Sequence, residues 1–256
     1  MKSSINSFFV AAIALASTAC TSHYSLTNVS RTRLVVDSRY DATPNAQAAA
    51  FLAPYKHQVD SVMSPVVGMA AHDMDAARPE SNLSNLLSDI LVWAASKYYH
   101  EQPVLGIYNI GGIRAALSKG TVTYGDILAI APFENKIAFT TLSGEMMLKL
   151  FGQLAARGGH GVSHGIELVI SDSGKLISSR LHGKEISPEE KYRIVSIDYL
   201  VQGNDGVGAL AEGTDVRMPE DEKDVTRNLI VNYFKEKAAQ GEAVSAKVEG
   251  RIRIGN

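Results

Sequence analysis

The stretch VLGIYNIGGIR, residues 104–114, changes character halfway along. Val104 to Asn109 is a short apolar run bounded by turn residues, the pattern of a buried strand. Two glycines follow, Gly111 and Gly112, and then Arg114. Glycine has no Cβ, so the backbone there can approach a ligand closely or take a positive φ. Arginine can grip phosphate or carboxylate oxygens through paired hydrogen bonds. Taken alone, the same letters also describe a plain strand–turn–helix connection with Arg114 on the surface. They are not the dinucleotide fingerprint, which needs three spaced glycines. Gly111 to Ser118 reads as a turn leading into a short helix.

Outward from this stretch, strands and helices interleave irregularly. Upstream, Arg33–Val36 reads as a short strand and Ala46–Ser64 as a helix that Pro54 should kink or delay. Asn82–Tyr99 is the clearest helix, with Leu83, Leu86, Leu87, Ile90, Leu91 and Ala94 in one stripe. Downstream, Tyr124-Gly125-Asp126 starts a helix, Lys136–Leu142 alternates as a strand, and Ser143-Gly144-Glu145 opens a helix running to Leu154. Ile166–Ile170, Leu176–Leu181 and Arg193–Ile197 read as strands, Val225–Gln240 as a helix, and Lys247–Ile254 as a short strand. The expected class is α+β, a mixed β-sheet flanked by helices.

The chain has 256 residues, 45% of them hydrophobic and 20% charged, with a formal net charge of −2. That is enough for one sizeable core, and the charge balance points to no nucleic-acid partner. The first residues differ. Lys2 is followed by the apolar run Phe8–Ala16 and by small residues leading to Cys20, which is the layout of an export signal. The run is too short to span a bilayer, which needs about 20 apolar residues. Cys20 is the only cysteine, so no intrachain disulfide forms. Its place resembles the bacterial lipoprotein lipobox, although Ser17 stands where a larger aliphatic residue is usual. The expected organisation is a lipoprotein-type signal at 1–19, a tether at 20–30 and one domain at 31–256. Lipidation at Cys20 would anchor an exported, periplasmic or cell-surface protein to a membrane. Ordinary signal cleavage beside an incidental cysteine is the plainer alternative.

Three further loops carry candidate chemistry. In Ala131-Pro132-Phe133-Glu134-Asn135, proline presets a turn that presents Phe133, and an aromatic ring there can stack a flat ligand. In Tyr199-Leu200-Val201-Gln202-Gly203-Asn204-Asp205-Gly206, Asp205 stands at a strand's end, where a carboxylate can accept from a vicinal diol. His160 and His164 lie four apart among glycines, without the further ligands a zinc or two-metal site needs. The only cysteine is Cys20, and the sequence offers no convincing catalytic nucleophile.

In order along the chain, NIGGIRAALSKGTVTYGDILAIAPFENKIAFTTLSGEMM, GVSHGIELVI, YLVQGNDG and EGRIRIGN resemble the C-terminal domain of the 5'-nucleotidase family. The resemblance covers roughly residues 45–256. It implies a nucleotide-binding domain that normally works beside a two-metal phosphoesterase domain. By motif, Phe133 and Tyr199 are similar to the two aromatics that sandwich the base. Asn109 matches a base contact, Gly111 and Gly112 the close turn, Arg114 a phosphate contact and Asp205 the ribose acceptor. Two positions depart from the pattern. Counting back from Asn85, the family's second phosphate-binding arginine falls on Pro79, with Arg78 one place away, and His164 replaces the glycine of the family's V-S-G.

The resemblance therefore implies a nucleotide or nucleoside ligand, no cofactor held by this chain, and a separate metallophosphoesterase partner carrying divalent metals. A non-catalytic nucleotide-binding lipoprotein at the cell surface is the alternative, and an independent enzyme built on His160 and His164 is a third reading.

Overall fold

The Asn82–Tyr99 helix begins where Ser81 turns the chain: the Ser81 side chain accepts the Ser84 amide at 3.4 Å. The helix stops at His100, which takes the left-handed conformation at φ 55. Its predicted stripe, from Leu83 to Ala94, is buried throughout. The helix lies on the central sheet because one strand residue has no side chain. A Cβ on Gly106 would stand 2.5 Å from the Ser88 carbonyl oxygen, closer than real Cβ atoms come.

This computed structural model describes residues 24–41 and 45–255. The signal reading at 1–19 and the lipidation reading at Cys20 lie outside the described residues. The chain divides into two units at the Phe51–Leu52 boundary. In the first unit, Asp37 caps a single 3-10 turn, Ser38–Tyr40. Arg33–Val36 is not a strand. Those residues are exposed and no ladder partner takes their backbone among the described residues, and an isolated strand is not stable in water. A helix runs from Ala46 to Met63, with Pro54 inside it and none of its residues buried. Asn45 caps its start by accepting the Ala48 amide at 3.0 Å.

Among the described residues, the second unit holds three sheets. A five-stranded mixed sheet has the order β5-β2-β8-β4-β9. Its strands are β2 (Leu105–Tyr108), β4 (Ile137–Ser143), β5 (Gly161–Val162), β8 (Lys191–Ile197) and β9 (Thr214–Arg217). β2 and β8 run parallel, with Leu105 opposite Ile194. β4 runs antiparallel to β8, with Ile137 opposite Ile197. A three-stranded sheet orders β10-β6-β7, from Ile252–Ile254, Ile166–Ile170 and Leu176–Leu181. β1 (Val66–Ala70) pairs antiparallel with β3 (Gly120–Thr123). The core is continuous from the Asn82–Tyr99 helix through β2, β8 and β4 to the Gly144–Ala156 helix. The α+β class holds, a mixed sheet flanked by helices. Among the described residues, no helix is long and apolar enough to cross a membrane.

Local chemistry explains most boundaries. Thr123 and Asp126 form a reciprocal capping box that starts the Tyr124–Ile130 helix. Ser143 caps the Gly144–Ala156 helix by accepting the Met146 amide at 3.3 Å. The short helix expected after Gly112 does not form. A 3-10 turn, Ile110–Gly112, is followed by extended chain. There the Arg114 amide donates to Ile130, and Leu117 exchanges two bonds with Met74. Backbone groups satisfied by distant partners gain nothing from a helix.

Candidate functional site

Parallel pairing of β2 with β8, and antiparallel pairing of β8 with β4, bring three chain segments to one end of the sheet. Asn109 follows β2, Phe133 and Asn135 precede β4, and Tyr199 follows β8. Tyr199 rides a four-residue helix, Asp198–Val201, where the sequence suggests a loop. The chain then turns through Gly203 at φ +87, Asp205 at φ 54 and Gly206 at φ +78. Asp205 is among the few residues without glycine's freedom that take the left-handed conformation, and aspartate tolerates it through its short polar side chain.

These segments enclose a cleft of about 320 Å³ lined by Asn109, Gly111, Gly112, Phe133, Asn135, Tyr199 and Asp205. Phe133 is 48% exposed and Tyr199 41%. A larger cleft of about 480 Å³ lies elsewhere, among Tyr98, Arg217, Asp221 and Lys223. Its lining mixes both charges, and none of the residues singled out from the sequence lines it. Asn135 is a member of the smaller cleft that the sequence reading missed, although it stands two residues after Phe133. Arg114 is exposed and does not line the cleft; its Nη1 donates to the Gly111 carbonyl at 3.3 Å.

The glycine pair acts through closeness, and neither residue needs a left-handed φ. A Cβ on Gly112 would lie 2.5 Å from Asn109 Oδ1, so only glycine leaves that amide in place. A Cβ on Gly111 would stand 3.9 Å from both Asn109 Nδ2 and Asp205 Oδ2, on the cleft floor.

Beneath the cleft the polar groups interlock. Asn109 Nδ2 donates to Asp205 Oδ2 at 3.2 Å, and Arg157 Nη2 donates to Asp205 Oδ1 at 2.5 Å. Arg157 closes the Gly144–Ala156 helix, and its carbonyl accepts from Arg78 Nε at 2.9 Å. Arg78, one place away from the family's arginine position, therefore stands in this group. Desolvation lowers its pKa, with Asp205 opposing and Arg157 adding to that shift. His160, 1% exposed, precedes β5 and accepts the Ile110 amide on Nδ1 at 3.4 Å. That assignment puts its proton on Nε2, 3.8 Å from Asp205 Oδ2. Burial pushes His160 down to about 4; Asp205 opposes the shift, and Arg78 and Arg157 add to it. The ring is therefore neutral at neutral pH. Among the described residues, none hydrogen-bonds Asn109 Oδ1 or His160 Nε2.

This group does not fit a metal ion. His160 turns its protonated nitrogen towards Asp205 with two guanidinium groups nearby. His164 is exposed and bonds Glu249 Oε2 at 2.9 Å instead. Among the described residues no group of three or more His, Cys, Asp or Glu could hold a metal. What the arrangement offers a ligand is two half-exposed aromatic rings in one cleft with an amide and a carboxylate.

A family model described as the 5'-nucleotidase C-terminal domain matches residues 66–212. The chain is 27% identical over 239 residues to the trifunctional nucleotide phosphoesterase protein YfkN of Bacillus subtilis, across 86% of this chain and 16% of that protein. It is 25% identical over 234 residues to the cell wall protein Lmo0130 of Listeria monocytogenes, across 82% of this chain and 29% of that one. It is similar in structure to the 5'-nucleotidase precursor from Thermus thermophilus, with a TM-score of 0.71 and 25% identity over 84% of this chain and 45% of the other. The chain spans less than half the length of each.

Proposed function

This chain belongs to the 5'-nucleotidase family through its C-terminal domain, and from that premise we propose that it is the nucleotide-binding half of a split 5'-nucleotidase. Phe133 and Tyr199 sandwich the base, Asn109 meets the base edge, and Asp205 accepts from the sugar hydroxyls while Arg157 steadies its other oxygen. Gly111 and Gly112 let the ligand approach the backbone, and Arg114 extends from the rim to the phosphate. Divalent metals on a separate metallophosphoesterase chain supply the hydrolytic chemistry; this chain contributes binding and orientation. The protein is exported and held to a membrane by lipid on Cys20. The signal-like N-terminus supports export, and the cell wall protein Lmo0130 is a relative consistent with it.

One observation carries the binding half of this reading: residues 109, 133, 199 and 205, far apart in sequence, line a single cleft. Calorimetric titration with adenosine and AMP tests it. Stacking on an aromatic side chain contributes about 1–3 kcal/mol per base, so Phe133→Ala and Tyr199→Ala should each weaken binding about tenfold. Unchanged affinity in both variants would remove the assigned site. Mixing the protein with a metallophosphoesterase from the same genome tests the catalytic half. Turnover of AMP should rise above that of the partner alone. Binding with no gain in turnover would favour a non-catalytic surface-binding lipoprotein. Cys20→Ser should release the protein from the membrane fraction.

A further inference from the structure

A buried cation lies behind Phe133. Arg227 sits in the first turn of the Thr226–Ala239 helix and is 9% exposed. Its Nη1 donates to the carbonyls of Ala131 at 3.3 Å and Pro132 at 3.2 Å, the two residues before Phe133. Its Nη2 stands 3.8 Å from Oε1 of Glu134, the residue after Phe133. Its Nε has no hydrogen-bond partner among the described residues.

The same helical turn holds the other side of the loop. The Thr226 amide and Oγ1 both donate to the Asn135 carbonyl, at 2.8 and 3.0 Å. Val225 forms an isolated bridge with Lys136. The turn is itself fixed from behind. Asp224, buried, accepts the Tyr99 hydroxyl at 2.6 Å and the Asp221 amide at 2.9 Å. Both arms of the loop that presents Phe133 are therefore bonded to residues 225–227.

An arginine is a poor choice here for stability alone. Taking a guanidinium out of water is costly, two neutral carbonyls and a distant exposed carboxylate offset only part of that, and well-packed apolar residues often do as well in such places. What an apolar residue cannot do is bond two successive carbonyls and fix the backbone ahead of Phe133. We infer that Arg227 is a positioning residue for the stacking platform: it acts through the Ala131–Asn135 loop to set where the Phe133 ring stands over the cleft, and so sets affinity for aromatic bases. This rests on the reading of Phe133 as a base-stacking residue.

The test uses Arg227→Met, which keeps an unbranched apolar stem but no donors, and Arg227→Lys, which keeps charge without the planar fork. Adenosine affinity is measured in a double-mutant cycle with Phe133→Ala, beside hydrogen exchange of the peptide spanning 131–136. Arg227→Met should weaken adenosine about tenfold, and the double variant should bind no more weakly than Phe133→Ala alone. Exchange should quicken in the loop while the rest of the protein keeps its protection, and Arg227→Lys should restore little. Multiplying losses in the cycle would overturn the inference, because Arg227 would then act independently of Phe133. Unfolding of both Arg227 variants, or faster exchange throughout, would also overturn it. If the unaltered protein binds no adenosine, the stacking reading itself fails. The exchange experiment then still decides Arg227: loop-confined quickening supports positioning, and an unchanged loop refutes it.

Discussion

The two sides of the cleft are built on opposite plans. The aromatic lip, Phe133 and Tyr199, is half exposed, and each ring stands on a loop or a single helical turn. The floor is polar and cross-bonded: Asn109 and Arg157 donate to Asp205 and His160 stands beside it, with Asn109 and His160 buried, Asp205 half-buried and Arg157 reaching solvent. The lip leaves apolar surface open to a ligand. The floor fixes polar atoms in advance, which limits the ordering a ligand must bring about on binding. A change in the floor should therefore disturb fold and binding together, whereas a change in the lip should disturb binding alone.

The largest expected effect tests the floor by pH. His160 has a folded-state pKa of about 4 against an ordinary 6.5, so the fold favours the neutral ring. Between those values the unfolded chain takes up a proton that the folded chain refuses. This contribution to stability is full above pH 6.5, declines as pH falls, and levels off below about 4. Over that window the loss is about 3 kcal/mol from this one group. Urea unfolding at pH 7 and pH 4.5 should show a steeper decline for the unaltered protein than for His160→Gln. Parallel declines would mean that the floor does not hold His160 neutral.

Gly112→Ala should have the next largest effect. The added methyl meets Asn109 Oδ1 at 2.5 Å, and the amide cannot swing far while its Nδ2 holds Asp205. Overpacking of this kind costs about 1–3 kcal/mol. The variant should melt several degrees lower and lose nucleoside affinity at the same time. Gly111→Ala, whose methyl meets nothing closer than 3.9 Å, should melt normally and lose affinity only by narrowing the cleft. Equal melting temperatures for the two variants would erase the distinction between the paired glycines.

The same contrast governs what the sequence disclosed. Asn82–Tyr99, Ile166–Ile170 and Leu176–Leu181 were legible to the residue, because a long apolar stripe with a cap and a pair of short runs around Ser-Asp-Ser-Gly leave little choice. β9 was not, since all four of its residues are exposed and nothing alternates. β1 and β3 escaped for a related reason: each is short, and each is defined by the other across the fold. Arg33–Val36 shows the converse, apolar letters that find no ladder. In the site, the proline turn already draws attention to Phe133, but only the coincidence of several motifs in order makes a pair of it with Tyr199. The floor was harder still. Arg157 and Asn109 reach Asp205 across 48 and 96 positions, and no local pattern announces such a meeting. In the sequence His160 is one of a histidine pair without the further ligands a metal site needs, and nothing local foretells that it is buried and accepts the Ile110 amide.

The smallest expected effect separates the lip from the floor most cleanly. Tyr199 is anchored through its backbone: its amide donates to Asp198 Oδ1 at 2.7 Å, and its carbonyl accepts Asn204 Nδ2 at 2.9 Å. Those bonds survive replacement by phenylalanine, as does the face of the ring. If the lip works by stacking alone, Tyr199→Phe should bind adenosine within about twofold of the unaltered protein, a difference under about 0.5 kcal/mol. It should also melt unchanged, as exposed substitutions usually do. Tyr199→Ala, by contrast, loses the face and about tenfold in affinity. Should phenylalanine lose as much as alanine, the hydroxyl must be bonding the ligand, and Tyr199 would belong to the polar recognition of the floor. Calorimetry on the two variants side by side reads the difference directly, because both leave the Asp205 network untouched.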